Sequence, residues 1–107
     1  TMNEALRHLN TTEQETMDGS PAAARDAAGF ISIKFQCGPV KEHGVNGTSI
    51  ENVLELLLRR LEGFQRGPFV CDENGRAIGY LKLAMEALEE RTQKREAAGV
   101  EGTNQSH

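Results

Sequence analysis

Residues 63–74 read GFQRGPFVCDEN, and this stretch decides the fold because it divides a helix-patterned region into two parts. The Gly-Pro pair at 67–68 redirects the backbone, since proline has a fixed φ and no amide hydrogen to donate. Asp72 and Asn74 are residue types that cap a following helix. The sequence therefore predicts a helical hairpin whose first helix ends or loosens at Gly63 and whose second helix begins at one of these caps.

The first helix is expected to begin near Ser49, because Thr48 and Glu51 have the spacing of a capping box. Three consecutive leucines at 56–58 point about 100° apart, so one partner helix cannot cover all of them. We expect one of them to contact another chain; the alternative is simple exposure of the first or the last, which is common for single apolar residues. The expected apolar stripe consists of Ile50, Val53, Leu54, Leu57 and Leu61.

The second helix is predicted over residues 73–98. Its apolar side chains recur at steps of three and four on one face, as Ile78, Leu81, Met85 and Leu88. The same steps lead to Thr92 and Arg95, so the stripe becomes polar over the last two turns. Gly99 suits the position that ends the helix, with Val100 placed for the apolar contact of a Schellman motif.

The segment before the helices is predicted to contain a β-hairpin. Apolar and polar side chains alternate in ISIKFQ at 31–36, as in a strand with one buried face, and residues 40–45 are expected to return as the second strand. Residues 1–28 are expected to form a mobile extension, in which the alanine-rich 21–28 favours a short helix. Residues 104–107 are expected to be a tail.

A two-stranded hairpin is marginal alone, so it is expected to pack on the helices. The predicted fold class is therefore α+β: an N-terminal β-hairpin packed on a long antiparallel helical hairpin, assembled as a homo-oligomer. With 107 residues, 37% hydrophobic and 5% aromatic, the core must be thin, and a partner chain is expected to complete it.

Composition also narrows the classes of function. A net charge of −4 disfavours long DNA or RNA, which needs a basic face. No stretch approaches the roughly 20 apolar residues of a membrane span. Cys37 and Cys71 lack the spacing of a metal or redox motif and are expected to be reduced and structural. We therefore expect a soluble intracellular protein that contacts neither nucleic-acid polymers nor membranes.

Aromatic, amide and arginine side chains around the corner and at the end of the second helix are candidates for nucleotide binding. Phe64 can stack on a base, and Asn74 can read its polar edge. Arg91 and Arg95 are neighbours on one helical face, where forked guanidinium groups can hold a pyrophosphate. The plainer interpretations are core cover for the ring, a helix cap for the amide and a solvated charged face for the arginines. No acid, base or nucleophile constellation indicates catalysis, so no catalytic residue, cofactor or metal site is predicted.

Residues 29–103 carry an ordered set of motifs that resembles a known family. The motifs are ISIKFQCGPV, the VNG before the first helix, GFQRGPF and CDEN at the corner, and ERTQKR with GVEGT at the end. This set resembles the hairpin domain of phage Thoeris anti-defence sponges and related anti-CBASS sponges, and is most similar to the first-described Thoeris anti-defence family. The resemblance implies that 29–103 is a nucleotide-sequestering domain of β-hairpin plus helical hairpin that assembles into a hexamer.

The resemblance also implies a function. A sponge of this kind binds the immune messenger glycocyclic ADP-ribose without cleaving it, in the cytoplasm of the infected bacterial host. CBASS cyclic oligonucleotides are a further implied ligand class, at a separate site that the sequence does not locate. The alternative is a non-catalytic helical-hairpin module for protein–protein interaction, in which exposed leucines bind a protein and the arginines only solubilise it.

The resemblance assigns roles to particular positions in the ligand site. It implies that Phe64 stacks on the ligand, that Asn74 hydrogen-bonds it, and that two arginines hold the pyrophosphate. A threonine on the second helix and a Gly-Thr segment after it are implied to close the pocket. The two arginines are Arg91 and Arg95, the threonine is Thr92, and the Gly-Thr segment is Gly102 with Thr103.

Overall fold

The computed structural model describes residues 9–12, 20–26 and 29–99, which belong to two compact units. The first unit contains the described residues up to Thr48 and holds β1 (Leu9–Thr12), β2 (Ala23–Asp26), β3 (Ser32–Lys34) and α1 (Val40–His43). The second unit starts at Ser49 and holds α2 (Ile50–Gln65) and α3 (Asp72–Ala97). The predicted α+β class is confirmed. Packing of the hairpin on the helices, assembly into an oligomer and the domain limits at 29 and 103 stay predictions.

The strands form an antiparallel sheet in the order β1-β2-β3. β2 pairs with β3 so that Ala24 lies opposite Ile33, and Leu9 of β1 lies opposite Asp26. The strand predicted at 31–36 is confirmed over β3, and it belongs to an antiparallel hairpin. Its partner is β2, however, so the expected pairing with residues 40–45 is wrong.

Residues 23–26 are extended, so the short helix expected over 21–28 is wrong there. Alanine favours a helix by less than about 1 kcal/mol over most residues. Pairing with β3 and the burial of Ala22 and Ala24 outweigh this preference. The expectation that 1–28 is mobile stays a prediction, because 1–8, 13–19 and 27–28 lie outside the described residues, as does the tail.

Residues 40–43 form the helical turn α1 where a second strand was predicted. Pro39 precedes this turn with φ of −65°, the angle that proline fixes and that suits a helix start. Gly44 ends it with φ of 69°, in the region that glycine adopts at least cost. The Gly-Pro pair therefore starts a helix, and the short run after it is too brief to show a strand period.

Two amide side chains hold the loop around α1. Gln36 donates to the Gly44 carbonyl oxygen at 2.8 Å and accepts from the Asn46 N–H at 2.9 Å. Asn46 accepts from the Cys37 N–H and donates to the Cys37 carbonyl oxygen, both at 2.8 Å. These bonds satisfy backbone groups that a strand ladder would otherwise pair.

Ser49 caps α2, with its hydroxyl oxygen accepting from the Asn52 N–H at 3.1 Å. The predicted cap, Thr48, is therefore wrong by one position; its backbone instead bridges to Phe35. α2 also continues through Gly63 to Gln65, so of the two expectations for Gly63 an end of the helix is wrong by two residues, and a loosening of the helix stays a prediction. A single glycine destabilises a helix by only about 1 kcal/mol relative to alanine, which is too little to end it at that position.

The packed face of α2 is rotated from the predicted stripe. Leu58 is buried at 7% exposure, whereas Leu57 is 47% exposed and Leu56 is 67% exposed. Leu57 was expected on the inner face, and Leu58 was one of the two expected to be exposed. Consecutive leucines give a helix two overlapping apolar stripes, and contact with α3 selects the one that contains Leu58.

α3 matches its predicted range of 73–98 within one residue at each end. Its N-cap is Cys71 without a side-chain capping bond, so the cap expected at Asp72 or Asn74 is wrong. Gly99 has φ of 73° and donates its N–H to the Glu96 carbonyl oxygen at 3.0 Å, which confirms it as the residue that ends the helix. Val100 lies outside the described residues. Within the described part, no helix is long and apolar enough to cross a membrane.

Candidate functional site

The corner between α2 and α3 is held by two side-chain amides. Gln65 donates to the Cys71 carbonyl oxygen at 3.1 Å and accepts from the Cys71 N–H at 3.0 Å. Asn74 donates its Nδ2–H to the Phe69 carbonyl oxygen at 3.1 Å. The six residues between the helices are thus pinned at both ends, which fixes the side chains that the corner presents.

Phe64 has two neighbours at this corner. The Phe69 ring meets it edge to face, with ring centroids 5.9 Å apart and planes at 71°. The Arg60 guanidinium carbon lies 4.8 Å from the Phe64 ring centroid, a cation–π distance. Phe64 is half-buried, so its orientation is set by protein contacts before any ligand arrives.

Arg60, one helical turn before Phe64, is not among the site residues predicted from the sequence. The signal was available: an arginine and an aromatic residue at i and i+4 are neighbours on a helix surface. The signal is ambiguous in the sequence, because Arg59 is adjacent and the sequence does not say which of the two arginines contacts the ring. Arg59 pairs instead with Glu55, with Nε and Oε1 3.0 Å apart.

The arginine pair lies in the last turns of α3. Arg91 is exposed, while Thr92 and Arg95 are half-buried. The polar continuation of the apolar stripe is therefore confirmed for Thr92 and Arg95, because they share the half-buried face with Leu88. Within the described residues, Arg91 forms no ion pair and no side-chain hydrogen bond.

The expected site residues fall into two groups at opposite ends of α3. Asn74 and Arg91 are 17 positions apart, which is about 26 Å along a helix that rises 1.5 Å per residue. Phe64 belongs to the Asn74 end through the corner. Single-chain geometry therefore does not bring the stacking and the pyrophosphate residues together, and Gly102 and Thr103 lie outside the described residues.

The two ends of α3 differ in charge. Asp72 and Glu73 occupy its first turn, whereas Lys94 and Arg95 occupy its last turn. Both placements oppose the partial charges of the helix dipole and stabilise the helix. The guanidinium groups of the last turns can donate charge-assisted hydrogen bonds to an anion, and Glu89, Glu90 and Glu96 lie in the same turns, so such binding depends on specific contacts and not on net charge.

Other titratable groups of the described residues lie in the turns and loops. His43 Nε2 lies 3.9 Å from Glu42 Oε2 on the exposed α1 turn. Cys37 is half-buried and Cys71 is exposed, and neither takes part in a disulfide among the described residues; the structural role expected for both stays a prediction. Among the described residues, no group of three or more His, Cys, Asp or Glu side chains could hold a metal ion.

The fold and these side chains define a small α+β protein whose helical hairpin carries arginines at one end and an aromatic–amide corner at the other. A scan against protein-family models finds no match. The chain is similar to a curated protein named Thoeris anti-defense 1, from Bacillus phage SBSphiJ7, with 44% identity over 82 residues. That alignment covers 76% of this chain and 58% of the relative, so the chain spans little more than half of the relative's length. The similarity places the chain in the Thoeris anti-defence family, as the sequence motifs indicated.

Proposed function

We propose that this protein counters Thoeris defence by binding a cyclic nucleotide immune messenger and releasing it chemically unchanged. The observation that carries the proposal is the arginine end of α3, in a chain 44% identical to a Thoeris anti-defence protein. Arg91 is exposed, and Arg95 follows one turn later on the same side of the helix. Two forked guanidinium groups at this spacing suit the two phosphates of a pyrophosphate.

The corner supplies the groups that a ring ligand needs. Phe64 offers the ring face that Arg60 does not cover, and the Phe69 contact holds that ring in place. Asn74 uses one amide hydrogen on the corner backbone, which leaves its Oδ1 and second N–H for a ligand. A ring and an amide that are oriented in advance lose little conformational entropy on binding.

One chain does not carry a complete site under this proposal. The axial separation of about 26 Å between Asn74 and Arg91 follows from the helix rise and exceeds the reach of their side chains. A single compact nucleotide contacts both groups only if a second copy contributes one of them. The proposed site is therefore shared between chains.

The proposal describes a sponge, which acts by stoichiometry and needs tight binding. A nanomolar dissociation constant corresponds to about −12 kcal/mol. Charge-assisted bonds to two phosphates and base stacking are the contacts expected to supply most of it. The arginines provide charge and geometry rather than proton transfer, so binding leaves the ligand intact.

The test is to incubate the protein with excess glycocyclic ADP-ribose, remove unbound ligand, and denature the protein by heat. Chromatography is expected to recover intact ligand equal to the number of sites. Ligand consumption beyond one equivalent per site would identify an enzyme instead.

A second function is favoured by the exposed leucines. Leu56 and Leu57 face solvent on α2, which suits a helical-hairpin module that binds another protein. Absence of bound nucleotide in the same experiment, together with unchanged folding, would select this interaction module.

A further inference from the structure

Arg59 and Arg60 are adjacent on α2, yet the structure gives them different partners. The Arg59 Nε lies 3.0 Å from Glu55 Oε1, so a carboxylate offsets its charge. The Arg60 guanidinium carbon lies instead 4.8 Å from the centroid of the Phe64 ring. One arginine therefore forms an ion pair, and the other contacts the aromatic side chain of the candidate site.

The positions around Arg60 on its own helix hold no carboxylate. Neighbours on a helix surface are three or four positions apart. For Arg60 these positions hold Leu56, Leu57, Gly63 and Phe64. Arg60 is exposed and, among the described residues, forms no ion pair, so its guanidinium keeps its full charge beside the ring.

This contact determines which side of Phe64 a ligand can reach. Aromatic side chains in a helix lean toward its N-terminus, over the residue four positions earlier. The Phe64 ring accordingly meets Arg60, while Phe69 approaches it edge to face with centroids 5.9 Å apart. Because the guanidinium lies over one face of the ring, a base has the other face on which to stack.

The charge of Arg60 also changes that other face. An aromatic ring carries partial negative charge on both faces and partial positive charge at its edge. A cation over one face attracts the π electrons toward itself, so the opposite face becomes less negative. An electron-rich base, such as a purine, is then repelled less when it stacks there.

We propose that Arg60 is a positioning residue of the ligand site, which acts through the Phe64 ring and favours a stacked purine base. The inference rests on the proposed function, in which Phe64 stacks on the messenger. The role differs from that of Arg91, whose planar fork is proposed to hold phosphates. Arg60 acts by its charge on the ring, so a different cation can replace it.

Substitution of Arg60 tests this role by calorimetry with glycocyclic ADP-ribose. Arg60→Met keeps an unbranched side chain that favours a helix and removes the cation. Its affinity is expected to fall about two- to fivefold, the size of a cation–π contact at an exposed position. Arg60→Lys should recover most of that loss, because an ammonium is also attracted to the ring face.

The matched control is Arg59→Met, which removes the adjacent exposed cation and its ion pair with Glu55. It should leave the ligand affinity at the wild-type value, because an exposed pair contributes little to stability and Arg59 does not contact the ring. An equal loss for Arg59→Met and Arg60→Met would overturn the proposal, since the charge of α2 and not the ring contact would then govern binding.

A double-mutant cycle shows whether Arg60 acts through the ring. The ring is absent in Phe64→Leu, so adding Arg60→Met to that variant should cause no further loss of affinity. A further loss as large as in the wild-type background would mean that the guanidinium contacts the ligand directly, which would overturn the positioning role. Wild-type affinity for Arg60→Met alone would overturn it as well.

Proton NMR of the protein without ligand provides a readout that is independent of binding. The Arg60 side-chain protons next to the guanidinium are expected to shift upfield in the ring current of Phe64, and Phe64→Leu should abolish that shift. Absence of the shift in the wild type would overturn the proposal. Failure of the wild type to bind glycocyclic ADP-ribose would reject the proposed function and the role of Arg60 together, whereas wild-type binding that Arg60→Met leaves unchanged would reject only the role of Arg60.

Discussion

Arg91 gives the sharpest expectation for a single side chain. Arg91→Ala removes a guanidinium that is exposed and free of protein partners within the described residues, so folding should be unaffected. Binding of glycocyclic ADP-ribose should weaken by about 2–5 kcal/mol if the arginine meets a pyrophosphate in a closed site. Arg91→Lys should recover only part of that loss, because an ammonium lacks the planar fork. Calorimetry measures both.

The matched control is Lys82→Ala, which removes an exposed cation from the same helix on another side. It should leave the ligand affinity within about twofold, because an exposed charge that does not touch the ligand acts only through a long-range Coulomb interaction, which salt screens. Equal losses for Lys82→Ala and Arg91→Ala would mean that total charge, and no specific contact, governs binding.

Phe64 gives the second expectation at this level. Phe64→Leu keeps apolar volume at the corner and removes the flat ring, so it separates stacking from core cover. We expect a loss of about 1–3 kcal/mol in ligand binding with a melting temperature close to wild type. A lowered melting temperature with unchanged affinity would instead make Phe64 a structural residue, in keeping with its contacts to Phe69 and Arg60.

Elements differ in how much of their structure the sequence predicts. α3 was predicted closely because its apolar residues keep one helical period over many turns. β2 could not be predicted, because its alanine-rich sequence carries no strand period and its extended state depends on pairing with β3, which the residues of β2 themselves do not indicate. The face of α2 was ambiguous for a related reason: three consecutive leucines fit two stripes, and only contact with α3 distinguishes them.

The cap of α2 provides a test of an element's stability. Ser49→Ala removes the acceptor of the Asn52 N–H and should lower the free energy of unfolding by about 1 kcal/mol. Ser49→Asp keeps an acceptor at the same position and adds a negative charge at a helix N-terminus, so it should retain wild-type stability. Urea denaturation monitored by circular dichroism measures the difference. Equal stability of all three proteins would show that water replaces the cap without cost.

For the whole molecule, the sequence indicates candidate ligand residues, whose role stays a prediction, but it does not indicate how they are arranged. The types and spacings of Phe64, Asn74, Arg91 and Arg95 follow from the chain itself. Their separation in space becomes clear only from the structure, in which one continuous helix joins Asn74 to Arg91. The proposed site therefore depends on assembly, which a single chain's sequence pattern indicates only through surplus apolar surface.

Assembly beyond a dimer requires a second interface, because one isologous contact closes after two copies. Ile50, Leu56 and Leu57 on α2 are exposed apolar residues, and we expect them to form one of these interfaces. Leu56→Glu should then reduce a hexamer of about 70 kDa, six chains of 11.7 kDa, to a dimer near 23 kDa, because a charge at a desolvated contact opposes association.

Light scattering measures these masses. Leu58→Glu is the comparison: Leu58 is buried against α3, so this change should unfold the hairpin and remove helicity. A wild-type mass near 11.7 kDa at low micromolar concentration would contradict any assembly of the chain. An unchanged large mass for Leu56→Glu would locate this contact elsewhere, and a monomer would mean that the remaining contacts between chains depend on the α2 surface.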